Sequence, residues 1–162
     1  MSYLLDSDVF IQAKNLHYGL DFCPAFWDWL IAANAKGLVF STEKVGDEIQ
    51  AVADELAGWA ANRGDHFFLK PDAAILPALA NVSNWASGQN YEPAAVSTFL
   101  QVADFYLVAH ALAHGHVVVT HEVAAASTKK IKIPNACIAI GVKCMSPFEM
   151  LRLERAKFVL GT

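Results

Sequence analysis

Two short apolar runs that each stop at polar and acidic residues constrain this chain more than any other feature. Tyr3-Leu4-Leu5 ends in Asp6-Ser7-Asp8, and Val117-Val118-Val119 ends in Thr120-His121-Glu122. An unbroken apolar run this short suits a strand buried on both faces, as in a parallel sheet. Further strands are expected at 38–41, 66–69 and 142–145, with the two runs above extending over 3–6 and 116–120. Helical periodicity separates them. A helix over 7–15 is expected to be capped by Ser7 or Asp8. The segment 24–35 opens on Pro24 and closes before Gly37. Thr42, Val45, Ile49 and Val52 form a stripe at helical spacing, and further helices are expected at 53–62, 72–86, 93–100, 102–114, 134–140 and 147–155. Strands alternating with helices define an α/β domain with a mainly parallel sheet. Such sheets bind ligands outside the carboxyl ends of their strands, near a reversal in strand order. Asp6 and the residues after Thr120 fall there.

A length of 162 residues suits one domain, expected to span 1–162. Hydrophobic residues at 55% and charged residues at 17% exclude a disordered chain and point to a surface covered by a partner, either a second copy or another protein. No apolar run reaches the ~18 residues of a membrane span, and no secretory signal opens the chain, so a cytoplasmic protein without membrane contact is expected. Cys23, Cys137 and Cys144 lack paired spacing and read as thiols in a reducing compartment. The net charge of −4 is uneven: residues 1–128 hold 5 Lys/Arg against 14 Asp/Glu, and residues 129–162 hold 7 against 2. The basic end is suited either to solvent or to a polyanion. The aromatic segment Phe22, Phe26, Trp27 and Trp29 reads as core packing of a helix, with a groove for a partner helix as the other reading.

Four acids occupy positions that a solvated charge avoids. Asp6 lies at a strand end, Glu48 beside the apolar stripe of its helix, Asp104 at the start of the most apolar helix, and Glu122 just past a strand. Each alone has an ordinary explanation: a cap for Asp6, an exposed helix position for Glu48, a first-turn acid for Asp104, a loop acid for Glu122. Together they need a counter-charge, and no Lys or Arg is close in sequence to Asp6, Asp104 or Glu122. Mg²⁺ or Mn²⁺, which prefer carboxylate and water oxygens, fit that need.

YLLDSDVFI resembles the opening strand of the PIN-domain superfamily, an apolar run followed by Asp and Ser/Thr. VGDEI, VADFYLVAHALAHG and VVVTHE resemble the later acidic motifs in the same order. IKIPNACIAIGVKCMSPFEMLR is similar to the ending of a PIN-like subgroup, the VapC-like toxins of bacterial toxin–antitoxin systems. The resemblance implies a three-layer α/β/α sandwich, metal-dependent cleavage of RNA, and an antitoxin protein as partner. It implies that Asp6, Glu48, Asp104 and Glu122 are catalytic metal ligands, that Ser7 supports the first of them, and that Thr120 and His121 lie at the rim. Asp8 stands where the superfamily usually has Asn, Phe105-Tyr106 follows Asp104 in place of the common Pro-Trp, and Glu122 replaces the usual Asp. Either Glu122 or His121 completes the ligand set.

Three rival readings remain. LLDSDVF also resembles the opening of haloacid-dehalogenase-like phosphatases, with Asp6 as nucleophile and Asp8 as acid. His110 and His114, four apart with His116 and His121 nearby, suggest a metalloprotease, but the Glu of the zincin motif is missing. A non-catalytic PIN-like binding protein is the third.

Overall fold

The computed structural model describes residues 1–161. Five strands, β1 (Tyr3–Leu5), β2 (Val39–Thr42), β3 (Phe68–Leu69), β4 (Val117–Val119) and β5 (Cys144–Met145), pair in the order β3-β2-β1-β4-β5, all parallel. Nine helices are described: α1 (Ser7–Gln12), α2 (Pro24–Ala35), α3 (Glu43–Gln50), α4 (Glu55–Ala61), α5 (Ile75–Gly88), α6 (Pro93–Gln101), α7 (Ala103–His114), α8 (Ile133–Ile140) and α9 (Pro147–Leu153). They flank the sheet to give a three-layer α/β/α sandwich. No single helix among the described residues is long and apolar enough to cross a membrane.

The two apolar runs lie side by side at the centre. Tyr3, Leu4 and Leu5 pair with Val117, Val118 and Val119, and all six residues are buried. From β1 the chain steps outward through β2 and β3, then returns to β4 on the other side of β1. The strand order therefore reverses between β1 and β4, which opens a crevice at their carboxyl ends. Asp6 and Thr120 are the first residues into that crevice.

Local chemistry explains most boundaries. Pro24, Pro93, Pro134 and Pro147 sit in the first turns of their helices, where a missing N–H costs nothing. The Thr42, Asp54 and Ser146 side chains cap α3, α4 and α9. One expected cap is corrected. Asp6, not Ser7 or Asp8, caps α1: its backbone is extended, its carboxylate accepts the Ser7 N–H, and Ser7 and Asp8 are already helical. The helix also outruns its expected end through a π-helical turn over Ala13–His17. The aromatic segment divides. Phe26 and Trp27 are buried, Trp29 is half-buried, and Phe22 is 68% exposed.

Helix α7 stops at Gly115, in the left-handed region with φ +74°. A Cβ there would meet nothing in space, so the cost of a side chain is conformational alone. Gly115→Ala is expected to lower stability by about 1–2 kcal/mol without changing the fold, measured by urea unfolding with an unchanged m-value.

Candidate metal centre

The crevice is built around Thr120. Its hydroxyl lies 2.8 Å from Asp6 Oδ2 and 3.1 Å from Asp8 Oδ2, and its oxygen accepts the Glu122 N–H at 3.1 Å. One residue thus gathers three acids, from the end of β1, from α1 and from the segment after β4. Thr120 is 1% exposed, so it is the floor of the site and not its rim. The Asp6 carboxylate also accepts the Ser7 N–H at 2.8 Å. Asp8 accepts the His121 N–H, and Glu122 Oε1 accepts the Ile133 N–H at 3.0 Å, which ties the acid to the start of α8. Asp6, Asp8 and Glu122 each offer an oxygen within 4.8 Å of the other two, and they alone form such a group among the described residues.

The other two expected acids border this group. Ser7 Oγ donates to Glu48 Oε1 at 3.2 Å and lies 3.5 Å from Asp6 Oδ1, bridging α3 to the centre. Glu48 is exposed: the buried stripe of α3 is Val45, Gly46 and Ile49, and Glu48 is turned toward the open side of the crevice. The expectation that its charge is withdrawn from solvent is corrected. Asp104, in the first turn of α7, is half-buried and faces the field of Glu122, Glu48 and Asp8.

Burial and like charges act together on the protons. Asp6 is held well above the ordinary carboxylate range by burial first, then by Asp8 and Asp104, against the Thr120 hydrogen bond. Asp104 is pushed up to about 6 by burial, then by Glu122 and Glu48, with Lys130 opposing. Lys130 is a neighbour that sequence distance hides, since it comes from the long segment between β4 and α8. No ion pair with Lys, Arg or His reaches any of the five acids among the described residues. An oxygen-only donor set with converging, unpaired negative charge fits a hard divalent cation.

His121 is placed differently. Its ring stacks on His17 with centroids 5.7 Å apart and meets the Phe148 edge at 5.6 Å, while Glu122 is the member of the pair that joins the oxygen group. Burial lowers its pKa first, so the neutral ring is favoured. His121→Ala is expected to reduce activity several-fold at most, and a metal titration should show unchanged affinity.

Sequence reasoning underrated Asp8. The usable signal was the Asp6-Ser7-Asp8 spacing itself: a strand end followed at once by a helix start turns both carboxylates to one side. The metalloprotease reading is also displaced. His110, His114 and His116 lie at the amino ends of the strands, away from Asp6 and Glu122.

A cleft of about 670 Å³ beside the acids is lined by Lys44, Glu48, Thr98, Asp104 and Lys130. A second, of about 470 Å³, lies against Thr120, Glu122, Ile138, Ser146 and Glu149. Glu48 and Asp104 line the first cleft and Glu122 lines the second, while Asp6 is buried.

This sheet order and flanking define a PIN-like α/β domain. The chain belongs to the family described as Domain of unknown function (DUF4411), which matches residues 3–158. Among solved structures, the chain is similar to VapBC2 from Rickettsia felis, crystallised bound to a DNA fragment from its promoter. The TM-score is 0.55 at 12% identity, over 90% of this chain and 98% of that one. That likeness is one of fold. No curated protein matches.

Proposed function

We propose that this protein is a metal-dependent endoribonuclease of the toxin–antitoxin kind, formed by a single PIN-like nuclease domain over 1–162. The observation that carries the reading is the convergence of Asp6, Asp8 and Glu122 oxygens within 4.8 Å at a strand-order reversal, without a cationic partner. Asp6, Asp8 and Glu122 would hold Mg²⁺ or Mn²⁺, with Asp104 and Glu48 placed for outer or second-ion contacts. When bound, such an ion lowers the pKa of a coordinated water and offsets charge on phosphate oxygens. The protein's own groups supply the rest. Thr120 and Ser7 fix the carboxylates, and Ile133 N–H fixes Glu122.

RNA is the substrate this arrangement suits. Glu48, Asp104 and Glu122 line two open clefts, so a flexible single strand can lie along them. Lys44 and Lys130 in the larger cleft are placed for phosphates flanking the scissile one. The apolar residues Leu16, Phe22, Val123 and Ile138, each more than 60% exposed, are suited to burial by an antitoxin or by a second copy. The likeness to a VapBC2 complex supports the antitoxin.

The haloacid-dehalogenase alternative needs a free Asp6 oxygen for attack. It also needs a pair of neighbouring acids after a later apolar strand, where the segment after β4 supplies Glu122 alone. The deciding experiment is incubation with a set of single-stranded RNAs and Mn²⁺. Cleavage that chelation stops is expected. No cleavage of any RNA, with phosphoaspartate trapped at Asp6, would overturn the reading in favour of the phosphatase.

A further inference from the structure

A second group of metal-ligating side chains lies at the opposite end of the sheet. His110 and His114 are four apart on α7, which places both rings on one helix face. The chain turns at Gly115 and brings His116 back beside them, just before β4. Ring centroids are 4.8 Å apart for His110–His114, 5.6 Å for His110–His116 and 6.2 Å for His114–His116. Three imidazoles on one tetrahedral cation, at Zn–N bonds of ~2.0–2.1 Å, have centroids roughly 5 Å apart. The backbone therefore already sets the spacing of a three-histidine site.

The partners of these rings follow the pattern of metal ligands. A ligating imidazole commonly has its far nitrogen held by a carboxylate, carbonyl or hydroxyl, which fixes ring and tautomer. His114 Nε2 is 2.9 Å from Asp72 Oδ2, which leaves Nδ1. His116 Nδ1 is 2.6 Å from Ser2 Oγ, which leaves Nε2. His110 is 95% buried, and no hydrogen bond is made by either ring nitrogen.

We propose that His110, His114 and His116 form a site for a borderline transition cation of the zinc class, with Asp72 and Ser2 as outer-shell supports. Imidazole ligands select this class over Mg²⁺ or Mn²⁺, so the site is chemically distinct from the carboxylate centre. His110 and His116 are turned face to face, with 17° between their planes, and the three sets of nitrogens do not all lie within 4.8 Å of one another. Binding requires rotation of the His110 ring, which no hydrogen bond holds, while His114 and His116 keep Asp72 and Ser2. A bound cation would clamp the end of α7 and the start of β4 to the segment before α5, bracing the base of the sheet.

The test is titration of the protein with Zn²⁺ by calorimetry, paired with the visible absorption of the Co²⁺-loaded protein. Because Zn²⁺ also binds carboxylates, the titration is made in the Asp6→Asn background; one tight Zn²⁺ is expected there, and Co²⁺ should give the intense bands of a four-coordinate ion with three imidazole ligands and a water. His114 is partly exposed, so His114→Gln should fold, and it should weaken Zn²⁺ binding by more than about 100-fold. Asp72→Asn should weaken it by roughly 10–100-fold, the scale of an outer-shell loss. Absence of Zn²⁺ binding in that background or full affinity in His114→Gln would each overturn the proposal. None of these outcomes depends on whether RNA is cleaved.

Discussion

Asp6→Asn is expected to bring nuclease activity to background while leaving the metal-free protein at least as stable as wild type. The two halves of this result come from different roles of one side chain. As a cap, Asp6 needs only an oxygen for the Ser7 N–H, and Asn supplies it. As a ligand, it needs negative charge, and Asn removes it. A fall of on the order of 10²–10³-fold or more is the scale of losing a group that acts on the transition state. Stability moves the other way because the chelated site holds like charges. Asp6 and Asp104 both take up protons more readily folded than unfolded. For Asp104, the native state holds the extra proton between the ordinary 3.8 and about 6, so wild-type stability falls as pH rises through that window. Removing the Asp6 charge should flatten that slope. It should also shrink the stabilisation by Mn²⁺, which scales with affinity for the native state. Asp6→Ala is the control: it loses the cap as well and should be about 1 kcal/mol less stable than Asp6→Asn. Thermal melts in chelator and in Mn²⁺, across pH 4–8, read all of this. A clearly destabilised Asp6→Asn that keeps the full Mn²⁺ shift would make Asp6 a cap alone.

The sheet was legible because its strands are short, unbroken apolar runs ending in polar residues. Nothing but a doubly covered parallel strand makes Val117-Val118-Val119 economical, and the pairing with Tyr3-Leu4-Leu5 confirms that environment. Helix starts were legible where Pro or a capping side chain marks them, as at Pro24 and Thr42. The first cap was misplaced by one or two residues because Asp6, Ser7 and Asp8 all have the chemistry for it, and only backbone geometry distinguishes them. At the site, the sequence pointed to Asp6, Glu122 and Asp104 through the elements they terminate or begin. It left Glu122 and His121 open as the residue that completes the set. Their convergence depends on how the segments after β4 and before α8 fold back, and that path has no periodic signal. The same path delivers Lys130 to Asp104. Glu48 shows the converse error: a helical stripe fixes which face is buried, but the neighbouring position can still open onto a crevice. The three histidines at the base were visible as HALAHGH, but the proximity of Ser2 and Asp72 was not.

Thr120→Val should cost both stability and activity, more than its position in a loop would suggest. Valine matches threonine in shape, so packing among the buried residues at the floor is conserved. What disappears is one hydroxyl with three contacts. Its single proton serves Asp6 Oδ2 at 2.8 Å in preference to Asp8 Oδ2 at 3.1 Å, and its oxygen receives the Glu122 N–H. Leaving a buried carboxylate oxygen and a backbone N–H short of partners costs roughly 1–3 kcal/mol each where water cannot replace them. A net loss of about 2 kcal/mol is expected, which lowers Tm by roughly 4–8 °C for a chain of this size. The same hydroxyl also restrains the Asp6 pKa, so its removal should drive Asp6 further upward and move the onset of metal binding to higher pH. The Mn²⁺ affinity of Thr120→Val should therefore be weakest at mildly acidic pH and recover partly as pH rises. Thr120→Ser restores the donor and acceptor with a smaller side chain, and should recover most of the activity and the wild-type pH dependence. A loss of packing alone would leave serine worse than valine. That order of the two variants, with Mn²⁺ affinity insensitive to pH in both, would remove Thr120 from the organisation of the acids.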